Sequence, residues 1–404
     1  MGRYHYAARR DQGELVCGEL VGETKTAAIA ELRRKGFTVI RLEKKWELPD
    51  LNRLRESTTP IKARDKAVLT RQFATMINSG LAVMRALSIL EKQTENLRLR
   101  RLTGAVRADV EAGMPLSDAM AKHPVAFDRL YVAMVRAGET GGALDQTLDR
   151  LAVQLEKDDS IRRSIKSAVA YPALIGAFAV LMMFGMILFV IPVFATMYKD
   201  LGGELPSLTQ LMMAISTLMT GYWFIVFPLL IVIGWSILRF KKTEQGHRVW
   251  DRMKLKLPMK LGPVIQKVAV ARFSRTLATL LSSGVPILQA IDITGATSGN
   301  SVIEESMVYV AKSVSAGETI ARPLSRAPVF PPMVTNMISI GEETGTLDSM
   351  LNKIADFYED ETDTAIKSLT SIIEPIMMMF IGGMVGLIVI SMYLPIFNMM
   401  NLVK

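Results

Sequence analysis

The sequence "TRQFATMINSGL" begins at Thr70, and the similar sequence "SRTLATLLSSGV" begins at Ser274, 204 positions further along the chain. The similarity continues at the same spacing well beyond these two stretches. The aligned pairs include Arg71 with Arg275, Ala74 with Ala278, Ser79-Gly80 with Ser283-Gly284, Ala112-Gly113 with Ala316-Gly317, and Pro124 with Pro328. So many matches in the same order indicate that one structural unit occurs twice in the chain.

The repeat also contains two similar glycine-rich turns, "GETGGALD" at residues 138–145 and "GEETGTLD" at residues 341–348. A spacing of 204 pairs Glu139-Thr140-Gly141 with Glu343-Thr344-Gly345, and a one-residue deletion after these residues then pairs Leu144-Asp145 with Leu347-Asp348 at 203. The spacing of 203 continues to Pro172 and Pro375. The repeated unit is therefore predicted to be a soluble helical module followed by a membrane span.

Within each module the apolar residues follow a helical period. The stripes are Leu144, Leu148, Leu151 and Leu155 in the first module, and Leu347, Leu351 and Ile354 in the second. Thr59-Pro60 is typical of a helix start, and Gly80 and Gly284 suit the left-handed backbone that ends many helices. Short joints containing Gly and Pro separate the helical runs. This pattern predicts that each module is a compact antiparallel helical bundle.

Three long segments contain no charged residue, namely residues 167–198, 205–238 and 375–403. A helix needs about 20 mostly apolar residues to cross a bilayer, so we predict three transmembrane helices. Pro172 and Pro375 are predicted to lie in the first turns of their spans, where a missing N–H costs little. The alternative, that these segments are core helices of a soluble protein, is disfavoured because core helices normally keep a polar face.

The distribution of basic residues predicts the orientation in the membrane. Arg162, Arg163 and Lys166 precede the first span, and a run of Lys and Arg between residues 239 and 256 follows the second. Both modules and the amino terminus are therefore expected in the cytoplasm, with the carboxyl terminus outside. The net charge of +9 reflects this asymmetry, so nucleic-acid binding is not predicted. The lone Cys17 excludes an intrachain disulfide and fits a reducing compartment.

The first 45 residues have a different pattern of apolar residues from the modules. Alternating apolar residues at Tyr4, Tyr6 and Ala8, then a DQG turn and a second run, predict a β-hairpin. A helix that ends at Gly36 and a third strand, "TVIRLEK", follow. Residues 46–59 have the composition of a linker. The sequence therefore predicts a small α+β unit ahead of the first module.

The sequence carries no recognisable catalytic motif. It contains no GxxxxGK[ST] phosphate-binding loop, no HExxH motif and no paired CxxC motif. The histidines His5, His123 and His247 are widely separated, and each is interpreted as structural or solvated. We therefore expect neither an enzyme activity, nor a cofactor, nor a metal site.

The two glycine-rich turns have two possible roles, which the sequence does not separate. In the first, they are helix–turn–helix joints, with Gly at a helix end and an acid near the next helix start. In the second, exposed residues at the bundle tips contact a partner or an ion. The candidate partner-binding residues are Glu139, Thr140, Gly141, Glu343, Thr344 and Gly345. Glu374 is interpreted as a residue at the membrane boundary, and the Met-rich faces of the first and third spans as adaptable packing surfaces.

These features together resemble a known family. The repeated "RQFATMINSG" and "RTLATLLSSGVPI", the two turns, the "YP" before the first span, the terminal "LPIF" and the amino-terminal "YHYAARRDQGELVCGELVGET" look like the F-type inner-membrane platform protein of type II secretion and type IV pilus machines. The resemblance covers essentially the whole chain. The second module departs from the first in having Glu374 where the first has Tyr171, and in lacking one glycine in its turn.

The resemblance implies a role that composition alone does not. It implies that the chain forms a homo-oligomeric platform in the bacterial inner membrane. It also implies contacts with a cytoplasmic hexameric assembly ATPase, with pilins or pseudopilins, and with inner-membrane alignment proteins. The ATPase would supply the energy, and the platform would pass its movements to the pilins. Whether the machine builds a pilus or secretes proteins is left open.

The predicted fold is mainly α and membrane-integral, with two repeated cytoplasmic bundles, three transmembrane helices and a small amino-terminal α+β unit. The predicted segments are the α+β unit (1–45), a linker (46–61), the first module (62–168), span one (169–198), a non-cytoplasmic segment (199–220), span two (221–238), a basic cytoplasmic connection (239–261), the second module (262–367), span three (374–398) and a non-cytoplasmic tail (399–404). A membrane transporter or channel with cytoplasmic regulatory modules is the alternative, because internal repeats also build those proteins.

Overall fold

The computed structural model describes residues 2–10, 15–22, 25–34, 36–44, 59–200, 207–241, 243–255 and 261–402. The predicted DQG turn and most of the predicted linker lie outside the described residues. The chain divides into two compact units, which are described separately. The smaller unit comprises Met1–Pro60 with Glu95–Arg101, and the larger comprises Ile61–Thr94 with Leu102–Lys404.

Between residues 2 and 44, the described part of the smaller unit contains a three-stranded antiparallel sheet and a helix. The elements are β1 (Gly2–Arg10), β2 (Leu15–Gly22), α1 (Lys25–Arg34) and β3 (Phe37–Lys44). The strand order is β2-β1-β3, with a register shift in the β1–β3 pairing between Ala7 and Ala8. Leu32 and Leu42 form the core of this unit, where Tyr6, Ile29 and Val39 pack on them. Gly36 follows α1 with a φ of 79°, a backbone angle that favours glycine.

The larger unit contains two sets of six helices in the same order. The first set is α2 (Ala63–Asn78), α3 (Val83–Gln93), α4 (Leu97–Glu111, whose first turn belongs to the smaller unit), α5 (Leu116–Ala121), α6 (Arg129–Gly141) and α7 (Leu144–Gly185). A π-helical turn, Met186–Val190, and α8 (Ile191–Asp200) continue α7.

Three helices connect the two sets: α9 (Ser207–Gly221), α10 (Trp223–Phe240) and α11 (Glu244–Leu255). The second set is α12 (Leu261–Ser282), α13 (Ile287–Thr297), α14 (Ser301–Ser315), α15 (Ala321–Leu324), α16 (Pro332–Thr344) and α17 (Leu347–Leu402). Helix α12 thus corresponds to α2, and each later helix corresponds in turn, up to α17 and α7.

Several sequence-based predictions about the modules are confirmed. Leu148 and Leu151 are fully buried, as are their counterparts Leu351 and Ile354. Gly80 and Gly284 have φ angles of 80° and 79°, so both end their helices in the left-handed conformation. This conformation explains why both twelve-residue sequences, at residues 70–81 and 274–285, have glycine as their eleventh residue.

The predicted helix start at Thr59-Pro60 is wrong. Helix α2 begins at Ala63, because the Asp65 carboxylate accepts a hydrogen bond from the Lys62 N–H at 3.2 Å. An acid at this position satisfies one of the N–H groups that a helix start leaves without an intrahelical partner.

The predicted break between each module and its membrane span is absent. Helix α7 runs for 42 residues and α17 for 56 residues, and each begins in the bundle and continues through the apolar segment. Pro172 and Pro375 therefore lie inside long helices, and their predicted positions in first turns are wrong. Neither sequence has a cap or a helix-ending glycine just before the proline, and neighbouring helices allow prolines inside membrane helices.

Two of the described helical runs are long and apolar enough to cross a membrane, judged by length and composition: Leu144–Thr196 and Leu347–Ser391. Only 17% and 6% of their most apolar windows are buried within the chain, unlike the core helices of a soluble protein. The chain thus presents the features of a membrane protein. Helix α10 has 18 residues, and its assignment as a third span remains a prediction.

Helix α9 joins the distal parts of the two long helices. Met212 of α9 packs in one cluster with Ile187 of the π-helical turn and Ile191 of α8. The Thr209 hydroxyl donates a hydrogen bond to the Ser391 carbonyl of α17 at 3.0 Å. The segment between the first two predicted spans therefore contains a helix that contacts both repeats.

Candidate functional site

A carboxylate of the first glycine-rich turn connects two helices, α6 and α5. Glu139, near the end of α6, accepts hydrogen bonds from the Leu116 N–H at 2.7 Å, the Ser117 N–H at 3.1 Å and the Ser117 hydroxyl at 2.7 Å. Leu116 and Ser117 begin α5, so Glu139 caps that helix from a distance of more than twenty residues in sequence. A carboxylate at this end also interacts favourably with the helix dipole.

The second turn repeats this arrangement with Glu342. Its carboxylate accepts hydrogen bonds from the Ile320 N–H at 2.6 Å and the Ala321 N–H at 2.9 Å, at the start of α15. The structural counterpart of Glu139 is therefore Glu342, and the predicted pairing of Glu139 with Glu343 is wrong.

The error arose because the one-residue deletion lies earlier than expected. Leu116 and Ile320 are 204 positions apart, whereas Glu139 and Glu342 are 203 apart. The deletion falls in the loop between them, where the first repeat has "PVAF" at residues 124–127 and the second has "PVF" at residues 328–330. Loops accept such deletions, because they do not shift a packed helix face.

The left-handed glycines of the two turns are Gly142 and Gly345. Their φ angles are 67° and 71°, and their N–H groups donate to the carbonyls of Gly138 and Gly341. Gly141, which the sequence paired with Gly345, is instead the last residue of α6. The geometry of both turns is thus that of helix–turn–helix joints.

A second glycine in each turn allows close helix packing, a role that the sequence reasoning missed. A Cβ atom at Gly138 would lie 2.0 Å from Thr147 Oγ1 and 3.0 Å from Leu144 Cα. At Gly341 it would lie 2.9 Å from Leu347 Cα. The sequence does contain a signal for this packing role. Both turns begin with glycine, and the two glycines align when the repeat spacing of 203 is used.

The remaining candidate residues are exposed at the joints. Thr140 and Thr344 each donate a hydroxyl hydrogen bond to a carbonyl one turn earlier in their own helix. Glu343 accepts a 3.3 Å hydrogen bond from the Ser339 hydroxyl. Thr140 and Glu343 are the aligned positions of the two repeats. Among the residues that the structure describes, the side chains of Thr140 and Glu343 form hydrogen bonds only within their own helices.

In each module one arginine joins the first helix to the last helix. The two arginines, Arg71 and Arg275, occupy aligned positions of the repeat. Arg71 of α2 contacts Glu156 at 2.7 Å and Asp149 at 2.5 Å, both on α7. Its hydrogen bond to Glu156 holds the pKa of that carboxyl below its usual value. These ion pairs join the first and last helices of the module, although they are about 80 residues apart in sequence.

The second module repeats this connection with deeper burial. Arg275 of α12 contacts Glu359 at 2.8 Å, Asn352 at 3.1 Å, and Asp356, all on α17. Burial opposes the charge on Arg275, but the bonds to these acids outweigh it and raise its pKa. Helical periodicity did not reveal these partners, because it identifies apolar faces and not long-range ion pairs.

The two modules pack against each other along α7. On α12, the Ser282 carbonyl accepts a hydrogen bond from Arg150, and Thr276 accepts one from Gln154 at 3.3 Å. Further along, Asp158 accepts a hydrogen bond from Arg272 at 3.2 Å. We call this contact the seam.

The long helices α7 and α17 lie side by side, both at the level of the seam and beyond it. Lys157 contacts Glu359 at 3.0 Å, and Gly176 lies against the Met377 methyl group. A cavity of about 370 Å³ opens between the two helices, with Tyr171, Glu374 and Met378 in its lining. Glu374 is exposed at this cavity, close to the prolines of both helices.

The described residues offer little for metal or acid–base chemistry. Among them, no group of three or more His, Cys, Asp or Glu side chains is arranged to hold a metal ion. His247 lies on α11, where its Nδ1 is 3.2 Å from an Asp251 carboxylate oxygen. His123 lies in the loop between α5 and α6.

The fold and the joints define a class of protein. Its members are helical and contain a duplicated six-helix module, and the last helix of each module is long and continues into an apolar segment. Comparison with known families agrees. The family model for type II secretion system protein F matches residues 69–192 and again residues 273–395, and the model for the amino-terminal domain of that protein matches residues 1–43. The chain therefore belongs to the type II secretion system protein F family.

Proteins of both pilus and secretion machines are similar to the chain over nearly its whole length. A type IV pilus assembly protein PilC of Thermus thermophilus is 45% identical over 404 residues, which cover 98% of each chain. A protein of the same name from Myxococcus xanthus is 41% identical, over 100% of this chain and 96% of its own. A type II secretion system protein F of Xanthomonas campestris is 33% identical over 99% of both.

Proposed function

We propose that this protein is the inner-membrane platform of a type IV pilus or type II secretion machine. In this role it couples a cytoplasmic assembly ATPase to the movement of pilins or pseudopilins between the bilayer and the fibre. The observation that carries the proposal is the continuity of α7 and α17 from the bundles into the apolar segments. A helix without a break can transmit a displacement of the bundle to the membrane.

The proposed partners fit different parts of the chain. The ATPase would contact the cytoplasmic bundles at the joint residues Glu139, Thr140, Gly141, Glu343, Thr344 and Gly345. The apolar helix of a pilin would pack on the exposed, Met-rich faces of α7 and α17, which include Met182, Met378 and Met379. Inner-membrane alignment proteins and further copies of the chain would complete the platform. ATP is bound by the partner, so no cofactor is assigned to this chain.

The proposed topology has the amino terminus and both modules in the cytoplasm and the carboxyl terminus in the periplasm, with three spans. The basic residues that precede the first span and follow the second support this orientation, because Lys and Arg concentrate on the cytoplasmic side. Reporter fusions at Trp46, Leu205, Gln266 and Lys404 are expected to read inside, outside, inside and outside. A cytoplasmic signal at Lys404 would contradict the three-span topology, because a chain with both termini in the cytoplasm crosses the membrane an even number of times.

The two joints provide the sharpest test of coupling to the ATPase. In each joint, the exposed residue and the residue that caps a helix are different residues and can be changed separately. We expect Glu343→Gln to leave stability unchanged and to abolish fibre assembly or secretion at normal membrane abundance. Glu139→Gln and Glu342→Gln should instead lower stability by about 1–2 kcal/mol, because an amide can accept with only one of its two polar atoms. Apparent melting temperature in detergent and fibre assembly in cells are the two measurements.

Thr140→Ala is the matched change at the aligned position of the first joint. Normal assembly in a Thr140→Ala, Glu343→Gln double variant would contradict a partner contact at the joints and leave both turns with an architectural role alone.

A transporter or channel remains the second candidate, since a cavity with Glu374 in its lining lies between the long helices. Purified protein in liposomes distinguishes the two. Solute flux would favour the transporter, whereas cross-linking to the ATPase that depends on nucleotide would favour the platform.

A further inference from the structure

The two modules pack head to tail, so different faces of the repeated module meet at the seam. Each module therefore also has the face that its neighbour uses, and that face is uncovered. The seam uses one face of α7 and one face of α12. The equivalent faces are those of α17 in the second module and α2 in the first, and both are exposed to solvent. We propose that the α17 face of one copy docks on the α2 face of the next copy and reproduces the seam between molecules. This proposal names the surface for the homo-oligomer in the proposed function.

The exposed face of α2 matches a covered face of α12 residue by residue. Val68, Gln72, Thr75 and Ser79 form a stripe along α2, and all four are exposed. Their counterparts on α12 are Arg272, Thr276, Thr279 and Ser283. Thr276, which accepts the hydrogen bond from Gln154 of α7, is only 2% exposed, and Thr279 is only 8% exposed. Val68, by contrast, is 48% exposed, an apolar side chain without cover within the chain.

The exposed face of α17 matches the covered face of α7 in the same way. Gln154 is 2% exposed within the seam, whereas its counterpart Phe357 is 47% exposed. Arg150 is half-buried at the seam, and its counterpart Lys353 is exposed. An exposed phenylalanine at the position that is most deeply buried in the existing contact is the apolar centre expected of an interface.

The antiparallel direction of the seam fixes which residues would meet. Along α7, Arg150, Gln154 and Asp158 meet Ser282, Thr276 and Arg272 in turn. The same register between two copies brings Phe357 against Gln72 and the next turn of α17 against Val68. Continuing by one turn, it brings the segment around Thr364 against Arg64.

The charges at that last contact are complementary. Arg64 is exposed near the start of α2, and Asp360 and Asp363 are exposed around Thr364 on α17. Within the part of the chain that the structure describes, none of the three has an ion-pair partner. A second copy in the seam register would bring the arginine close to these acids.

The relation between the modules is compatible with a closed ring in a membrane. Lys157 meets Glu359 and Gly176 meets Met377, so contacting residues are 202 and 201 positions apart, against the repeat spacing of 203. The two long helices therefore run in the same direction with equivalent residues at nearly the same level. A head-to-tail contact with little translation along its axis closes into a ring, whereas a large translation would give a filament.

Cysteine cross-linking of the full chain in native membranes tests the proposal. With Cys17 replaced by serine, one tagged copy carries Phe357→Cys and a second, differently tagged copy carries Gln72→Cys. We expect a disulfide-linked dimer when the two are co-expressed and none when either is expressed alone. A chain carrying Gln154→Cys with Thr276→Cys is the positive control and should cross-link within the monomer.

Two results would overturn the proposal. The first is the absence of a mixed dimer while the control pair cross-links. The second is a dimer formed by Phe357→Cys alone, which would indicate a two-fold contact between identical faces. Fibre assembly is scored separately: assembly without the mixed dimer contradicts this interface only, and the mixed dimer without assembly contradicts the proposed function only.

A charge exchange gives an independent readout of the same contact. Arg64→Glu in the Gln72→Cys copy is expected to reduce the mixed dimer, and Asp363→Arg in the Phe357→Cys copy is expected to restore it. Arg85→Glu, a change at an exposed arginine of α3, is the matched control and should leave the yield unchanged. Equal losses for Arg64→Glu and Arg85→Glu would overturn the register.

Discussion

Arg275→Ala is expected to destabilise the second module by about 3 kcal/mol, because it leaves a buried carboxylate without its main partner. The Arg275 and Glu359 side chains are only 14% and 10% exposed. Lys157 still contacts Glu359 in the variant, which places the expected loss at the lower end for a broken buried pair. The apparent melting temperature of the full chain in detergent measures the effect.

The aligned arginine of the first module is the control. Arg71 and its partner Glu156 are 35% and 44% exposed, so water screens their interaction. Arg71→Ala should therefore cost only about 0–1 kcal/mol. Equal losses in the two variants would contradict the assignment of burial as the cause, since the two arginines make the same type of contact.

Gly138→Val is expected to destabilise the first module by about 2–3 kcal/mol, because added atoms force α6 away from α7. The Cβ alone would lie 3.0 Å from both Leu144 Cα and Thr147 Cβ, neither of which can rotate away. Gly341→Val should act in the same way on α16 and α17. Thermal unfolding and membrane abundance are the measurements.

Gly141→Ala is the matched change within the same turn. A Cβ at Gly141 meets no atom within 4 Å, and the residue ends α6 with helical geometry. Alanine there should be neutral or slightly stabilising, since it restricts the unfolded chain more than glycine does. A loss at Gly141 as large as that at Gly138 would show that the turn tolerates no side chain, whatever the packing.

Local chemistry in the sequence predicted much of the architecture. Gly80 and Gly284 end helices as expected, because few other residues adopt their backbone angles. Leu148 and Leu351 lie in the cores, because a regular apolar stripe on a helix is buried when the bundle forms. The ordered matches between the repeats predicted that the second module has the helices of the first.

Features that depend on distant contacts were not predicted. The break expected before Pro172 is absent, because α7 packs along α17 and the helix continues through the proline. Glu139 was paired with the wrong residue, because its partners at the start of α5 are invisible to local alignment. The seam is a third example, since its residues on α7 and α12 have no shared local signature.

The length of the unbroken helices makes each of them a lever. At about 1.5 Å per residue, the 56 residues of α17 extend for about 84 Å. If its bundle end tilted by about 5°, the far end would move by about 7 Å, close to the spacing of about 8–10 Å between packed helices. Because α7 lies alongside, the two levers would swing together. A tilt of the bundles by a few degrees would thus move the apolar ends of these two helices by nearly the distance between two packed helices.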